Sequence, residues 1–199
     1  MPQAAPPSAA DPADASAAGP RLEALRYLLD GGVEHHVAQI EGEERIVATL
    51  RIEPARSVPL RELQRLGART LPDAEGARVG IAADDDEAGR AGFALLTTVA
   101  LHARRTSTED AWWLAECPAA LQEVALALGW IAIPAGPDAA PGTLALVLPT
   151  ADVAHLEAIG SPLAELPAGG PPDASRIETV REAFGLPAPA DTARRTAAG

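Results

Sequence analysis

Carboxylates, arginines and one thiol are the side chains in this sequence that could take part in a reaction, and several of them fall between residues 45 and 117. Glu116 stands late in the apolar segment AWWLAEC. Burial there could raise its carboxyl pKa towards neutrality and make it a general base for an amine. The alternative for Glu116 is a solvated carboxylate or an ion pair at a strand end. Cys117, the single cysteine, is expected to be a small buried hydrophobe and not a nucleophile.

Two arginines of this region, Arg51 and Arg78, are candidates for holding a substrate anion. Residues 45–105 contain ten arginines and eight acidic residues, although the whole chain carries a net charge of -12. A guanidinium makes paired hydrogen bonds to a carboxylate or a phosphate, which suits either kind of anion. The alternative for both arginines is a structural ion pair, with Glu53 or Glu75 as the partner.

An acidic run, Asp84 to Glu87, precedes the predicted long helix. A helix N-terminus favours anions, but carboxylates placed there satisfy its amides themselves and repel a pyrophosphate. Metal binding by the run is disfavoured because adjacent side chains diverge and no second cluster accompanies them. The favoured interpretation of the run is an ordinary acid-rich helix start, and recognition of an acceptor amine is the remaining alternative. Arg90, in the first turns of the same helix, is a candidate for a phosphate, with a solvated helix face as its alternative. The four histidines have no metal-ligand spacing, so we expect no metal site.

The elements that must position these residues follow from hydrophobic periodicity. They alternate between strands and helices, which predicts a mixed α/β fold of three layers, α/β/α, around a mixed sheet. The predicted elements are a helix at 21–30, a hairpin at 36–40 and 45–52, a short helix at 60–66, a strand at 77–83, a long helix at 86–105, a strand at 111–117, a helix at 119–128, strands at 130–133 and 143–148, and a helix at 149–159.

Composition divides the chain into a core and two flanks. Residues 1–20 are Ala, Pro, Ser and Asp with little to bury, so we expect a disordered tail. Residues 21–159 form the predicted folded domain. Residues 160–199 are predicted to be a linker, a short helix at 173–184 and a second disordered tail. Of the neighbouring Trp112 and Trp113, one is expected in the core, and a core position for both is favoured over a groove.

Charge and cysteine usage exclude several classes of function. A net charge of -12 disfavours nucleic-acid binding and attraction to an anionic membrane. No apolar run reaches the roughly 18–20 residues of a membrane span, and no secretory signal is visible. One cysteine excludes an internal disulfide framework. We therefore expect a cytoplasmic protein, and the strong alanine bias and absence of lysine are typical of a GC-rich bacterial genome.

Several short patterns, taken in their order along residues 25–150, resemble the GNAT acyltransferase superfamily. Within it they are most similar to the branch of acyl-homoserine-lactone synthases and N-acyl amino acid synthases. Departures are Ala77 in a serine position, Ala125 where a proton-donating tyrosine often stands, and an N-terminal portion that is mostly missing. The patterns are Leu25-Arg26-Tyr27, His36-Val37-Ala38, Arg51-Ile52-Glu53-Pro54, Glu75-Gly76-Ala77-Arg78, Ala88-Gly89-Arg90-Ala91-Gly92-Phe93, and Pro118 through Gly129-Trp130.

The resemblance implies an N-acyltransferase that moves an acyl group from a carrier-protein or coenzyme A thioester to a small-molecule amine, such as an amino acid. No cofactor would be bound permanently, and an acyl carrier protein is the expected partner. The alternative is a non-catalytic GNAT-like module that binds or regulates. The resemblance assigns Glu116 to catalysis; Arg51, Glu75 and Arg78 to the acceptor; and Ile81, Ala82, Ala83, Gly89, Arg90 and Gly92 to the donor.

Overall fold

A seven-stranded sheet is the centre of the protein. The computed structural model describes residues 20–72, 74–107, 110–136, 140–167 and 173–186. The strand order is β1-β2-β3-β4-β5-β7-β6. All neighbours are antiparallel except β4 and β5, which are parallel, so the predicted mixed α/β class is confirmed. The strands are β1 (Leu22–Leu28), β2 (Glu34–Ile40), β3 (Ile46–Pro54), β4 (Gly76–Ala83), β5 (Trp112–Pro118), β6 (Ile131–Ile133) and β7 (Thr143–Leu148).

Helices pack on both sides of this sheet. On one side, the α2 face, buried residues of α2, α3 and α4 share a hydrophobic cluster with Leu50, Val79 and Trp113. On the other side, the α1 face, residues of α1 and α5 pack against Trp112 and Leu114. The helices are α1 (Leu60–Arg65), α2 (Glu87–Ser107), α3 (Gln122–Leu128), α4 (Val153–Ala158) and α5 (Ala174–Phe184).

The two neighbouring tryptophans show how one strand serves both faces. Successive side chains of a strand point to opposite faces of the sheet. Trp112 therefore enters the α1-face cluster and Trp113 the α2-face cluster, and both side chains are 0% exposed. The core position favoured for both residues is confirmed.

The helix predicted at 21–30 is wrong, because Leu22–Leu28 form strand β1 and Asp30 begins a short 3-10 turn. Leu22, Leu25, Leu28 and Leu29 match a helical stripe, yet the segment pairs antiparallel with β2 from Leu22↔Ile40 to Leu28↔Glu34. Gly31 and Gly32 are the predicted end of that helix. Both have a positive φ, and they form the turn that leads into β2. Pairing with a strand across the turn outweighs the local leucine spacing.

The other predicted elements are confirmed, with small shifts at their ends. The helix predicted at 119–128 begins with a 3-10 turn at Ala119–Leu121 and continues as α3. It ends at Gly129, whose φ of 105° is the left-handed conformation that favours glycine. The helix predicted at 149–159 is shorter, covering only Val153–Ala158. Of the two predicted tails, residues 1–19 and 187–199 lie outside the described residues.

The predicted core boundary at residue 159 needs correction, because α5 is packed against the sheet. The Phe184 ring lies 5.1 Å from the Trp112 ring, between centroids, at a tilt of 59°. Arg181 of α5 forms a buried ion pair with Asp152, which also accepts a hydrogen bond from the His155 amide at the start of α4. The packed unit therefore continues to Phe184, and α5 is not an appendage beyond it.

Phe184→Ala is expected to lower the free energy of unfolding by about 3–5 kcal/mol, because it removes a fully buried ring and leaves a cavity beside Trp112. Urea unfolding measures the change. Glu178→Ala, at an exposed position of the same helix, is the matched control and should change stability by less than about 0.5 kcal/mol. Equal effects for the two variants would contradict the packing of α5 described above.

Candidate functional site

The parallel strands β4 and β5 separate before they end. Their register runs from Gly76↔Trp112 to Gly80↔Glu116. Beyond this point β4 stays paired with β3 as far as Ala83, while β5 stays paired with β7 as far as Pro118. Each strand thus follows its outer neighbour, and residues 81–83 are not paired with residues 117–118. We call this unpaired region the strand gap.

Main-chain groups of β4 face the strand gap. The amide of Asp84 donates to the carbonyl of Val47 on β3 at 2.9 Å. Since the direction of peptide groups alternates along a strand, the N–H and C=O groups of Ala82 point to β3 as well. The carbonyl of Ile81 and both main-chain groups of Ala83 point the other way, into the gap. The Ile81 N–H also points that way, but the last parallel pair, Gly80↔Glu116, uses it to bind the Glu116 carbonyl. Two of the three residues predicted at the donor site therefore present main-chain hydrogen-bonding groups there, and Ala82 does not.

Cys117 lies beside the gap, where it is 0% exposed and belongs to the α2-face cluster. Burial raises the pKa of its thiol to about 11. The thiolate is the nucleophilic form, so Cys117 is not a nucleophile near neutral pH. This agrees with its prediction as a small buried hydrophobe.

Glu116, predicted as a general base, is held as an ionised carboxylate instead. Its Oε1 accepts hydrogen bonds from Thr143 Oγ1 at 2.7 Å and from the Ala140 amide at 3.0 Å, and its Oε2 accepts one from Arg65 at 3.2 Å. Burial alone would raise the pKa of Glu116, but these hydrogen bonds and the Arg65 charge hold it below its ordinary value. The raised pKa that base catalysis requires is therefore not found, and the ion-pair alternative describes Glu116.

Arg51 and Arg78 meet through one shared carboxylate. Arg51 lies 2.5 Å from Glu53, and Arg78 lies 3.5 Å from Glu53 and 3.1 Å from Glu62 on α1. Glu53, which was one of the two expected partners, therefore joins the two arginines. The contribution of Glu62 was missed, because no local pattern in the sequence brings α1 to this strand.

Glu75 stands apart from this group. It is an exposed residue that pairs with Arg56 at 3.6 Å. Both residues line a groove of about 370 Å³ at the amino end of β4, together with Pro54, Leu71 and Gly76. The strand gap lies at the opposite end of β4. The structure thus brings Arg51 and Arg78 together but places Glu75 at another position.

On the α1 face, an exposed glycine lies between the charged residues of β3 and those of β5. Arg51, Gly80 and Glu116 lie side by side on β3, β4 and β5 by register. Gly80 is exposed, and a β-carbon added to it would lie 3.7 Å from the Arg51 β-carbon, an ordinary contact. The surface above Gly80 is therefore open to solvent and carries no side chain of its own. We define the Gly80 hollow as Gly80 with its flanking charged residues Arg51, Glu53, Glu62, Arg65, Arg78 and Glu116.

The N-terminus of α2 is occupied by the protein's own carboxylates. Asp86 Oδ1 accepts a hydrogen bond from the Gly89 amide at 2.8 Å, and this contact holds the pKa of Asp86 below its ordinary value. Arg45 lies 2.8 Å from Asp84 and 2.7 Å from Asp86, so it joins the β2–β3 turn to the acidic run. The Gly89 amide at this helix end is therefore already occupied by a carboxylate of the acidic run.

The two predicted donor-site glycines of α2 have a packing role. A β-carbon at Gly89 would lie 2.0 Å from the Asp84 carbonyl oxygen, and one at Gly92 would lie 3.0 Å from the Ala48 β-carbon. Both glycines let α2 approach its neighbours closely. Arg90 is half-buried between them and makes no ion pair with any residue that the structure describes. Arg90 therefore keeps its hydrogen-bond donors available for an anion.

The described ranges contain no group of three or more His, Cys, Asp or Glu residues able to hold a metal ion. Within the same ranges, no helix has both the length and the apolar character needed to cross a membrane. The fold and this site define an α/β protein with a mixed seven-stranded sheet, a gap between its parallel strands and a polar hollow beside that gap. Comparisons with protein-family models, with curated proteins and with solved structures found no match to the chain.

Proposed function

We propose that this protein is a GNAT-like N-acyltransferase that takes its acyl group from a phosphopantetheine thioester on a carrier protein. The observation that carries the proposal is the strand gap. An extended pantetheine arm carries amide groups, and the Ile81 carbonyl with the N–H and C=O of Ala83 could bind it as a further strand would be bound. The resemblance of the sequence to acyltransferases supports the same position for the donor.

The preference for a carrier protein over coenzyme A rests on the N-terminus of α2. Coenzyme A brings a pyrophosphate, which would meet the carboxylates of Asp84 and Asp86. A carrier-linked arm brings one phosphodiester, and Arg90 is an available partner for it. The smaller anion is therefore the one that this end of the helix can accommodate.

The acceptor amine would bind in the Gly80 hollow. Three arginines and three glutamates flank that hollow, so its charges balance and it suits a small polar molecule. The amine nitrogen attacks the thioester carbonyl carbon, and the carbon–sulfur bond breaks. The leaving thiolate takes the proton that the amine loses. The peptide N–H of Ala83 would stabilise the oxyanion, and no side chain need act as a base.

A non-catalytic binding module is the second candidate, favoured by two observations. Glu116 is tied to Arg65, Ala140 and Thr143 and has a lowered pKa, so the carboxylate nearest the gap is unsuited to accept a proton. Ala125 stands where the acyltransferases that the sequence resembles often have a proton-donating tyrosine. It is buried and has no titratable group. Such a module would bind the pantetheine arm without transferring the acyl group.

Thermal shift and product formation, measured together, separate the candidates. We expect an acylated carrier protein to stabilise the protein and to acylate an amine, because a ligand that binds only the folded state raises its stability. Stabilisation without product would favour the module. No stabilisation by carrier-linked or free acyl-pantetheine would contradict both candidates.

Coenzyme A preference is tested by one variant with a matched control. Asp86→Ser keeps a capping oxygen but removes the charge, so binding of acyl-coenzyme A should improve. Glu178→Ser, at an exposed position of α5 on the opposite face of the sheet, should leave that binding unchanged. Isothermal titration measures both affinities. Micromolar binding of acyl-coenzyme A by the unaltered protein, insensitive to Asp86→Ser, would contradict the proposed donor preference.

A further inference from the structure

The two edges of the sheet differ in length and in protection. Strand β6 closes one edge with three residues, and a very short edge strand is a common defence against pairing with another chain. Strand β1 closes the other edge with seven residues, and no described strand pairs with its outer side. It contains no proline, and the irregularity of register near it lies between β2 and β3. Among the residues that the structure describes, the outer edge of β1 is therefore unpaired.

The hydrogen-bonding groups on this outer edge can be identified from the register. Glu41 donates its amide to the Arg21 carbonyl at 2.9 Å, and Leu29 donates to the Val33 carbonyl at 2.8 Å. The odd-numbered residues of β1 thus face β2. By alternation, the N–H and C=O groups of the even-numbered residues point outward. These residues are Leu22, Ala24, Arg26 and Leu28.

We infer that two copies of this protein associate through β1, in an antiparallel pairing about a two-fold axis at Leu25. A two-fold axis perpendicular to the sheet places each residue opposite a residue of equal parity, as a continuous sheet requires. With the axis at Leu25, Leu22 lies opposite the partner's Leu28, and Ala24 lies opposite the partner's Arg26. All eight outward N–H and C=O groups then form hydrogen bonds across the interface.

Charge and exposed apolar surface favour a second copy as the occupant of this edge. Residues 21–30 hold two arginines and two acids, so the segment is neutral in a chain of net charge -12. Tyr27, Leu28 and Leu29 are 50%, 71% and 50% exposed, an unusual concentration of apolar surface at one strand end. The pairing covers Leu28 with the partner's Leu22.

Arg26, which could block such an edge with its charge, is neutralised within its own chain. Its Nε donates to Glu34 Oε2 at 3.1 Å. A charged residue on an edge strand discourages pairing with another chain because its charge must stay hydrated. An ion pair within the same chain reduces that requirement. A seven-residue ladder is small beside the roughly 1,200–2,000 Å² of a standard interface, so we expect a dimer that dissociates on dilution.

Crosslinking through single cysteines tests both the dimer and its register. Opposed residues at the axis form a non-hydrogen-bonded pair with Cα atoms about 4.5 Å apart, within reach of a disulfide. Leu25→Cys should therefore give a disulfide-linked dimer under mild oxidation. In Tyr27→Cys the two thiols would lie about 14 Å apart along the strands, too far to join. The natural Cys117 is buried and should contribute nothing.

Sedimentation of the unaltered protein and of Ala24→Pro completes the test. The unaltered mass should rise from 20.4 kDa towards twice that value as concentration increases. Ala24→Pro removes an outward N–H that β1 does not use within its own chain, so it should stay monomeric and keep its thermal midpoint at low concentration. A monomer at every concentration, or equal crosslinking of Leu25→Cys and Tyr27→Cys, would overturn the proposed dimer.

Discussion

A Glu34→Gln variant is expected to be about 3 kcal/mol less stable than the unaltered protein at pH 7, and to lose most of that difference near pH 2. Glu34 is the centre of a buried ionic cluster. Its Oε1 accepts a hydrogen bond from Arg104 at 2.8 Å, and its Oε2 lies 3.1 Å from Arg26 and 3.0 Å from His36. Arg104 also pairs with Asp110, so the cluster joins β1, β2 and the end of α2.

The pH dependence follows from the direction of the Glu34 shift. Burial raises the pKa of Glu34, but hydrogen bonds from His36 and Arg26 and the Arg104 charge outweigh burial and lower it from 4.5 to about 2. The unfolded chain therefore takes up a proton near pH 4.5, while the folded chain resists until about pH 2. The stabilisation is present in full above pH 4.5 and is lost as the pH falls through this interval.

Urea unfolding between pH 7 and pH 2 measures this effect directly. Glu41→Gln, at an exposed position next to β2, is the control and should follow the unaltered protein at every pH. If the difference between Glu34→Gln and the unaltered protein stayed constant from pH 7 to pH 2, the ionised state of Glu34 could not be the cause of its stabilising effect.

Local patterns were sufficient to predict the elements of the sheet interior and the helices beside it. In α2, apolar residues such as Phe93 and Leu96 recur at helical spacing, and in β4 the apolar run is bounded by glycine and by the acidic run. Both signals lie within one element. Strand β1 was missed because its leucines fit a helix equally well, and only pairing with β2 decides between the two structures.

The partners of the charged residues were harder to predict because they lie far apart in the chain. Arg65 is 51 positions from Glu116, and Arg104 is 70 positions from Glu34. The pKa of Glu116 is lowered by hydrogen bonds from Thr143 and Ala140 and by the charge of that distant arginine, so its unsuitability as a base could not be predicted from the segment AWWLAEC. Arg51 and Glu53 were predictable neighbours because residues two apart on a strand share a face.

Arg51→Ala is expected to weaken binding of the amine acceptor by about 10- to 100-fold, the loss of one hydrogen bond to a charged group. Its side chain is 57% exposed, and surface ion pairs contribute about 0–1 kcal/mol, so the thermal midpoint should change little. Arg61→Ala, at an exposed position of α1 on the same face, is the control and should leave binding unchanged. A large fall in the midpoint with unchanged affinity would mean that Arg51 is structural.

Gly80→Val is expected to abolish acyl transfer while leaving the fold intact. The hollow exists because Gly80 has no side chain, and an isopropyl group there would occupy the space between Arg51 and Glu116. Gly80 does not have a positive φ, so valine meets no backbone strain and suits a strand. Ala132→Val, on the exposed side of β6, adds similar bulk far from the hollow and should transfer acyl groups at the unaltered rate. Full activity in Gly80→Val would show that the acceptor binds at another site and does not approach the strand gap over Gly80.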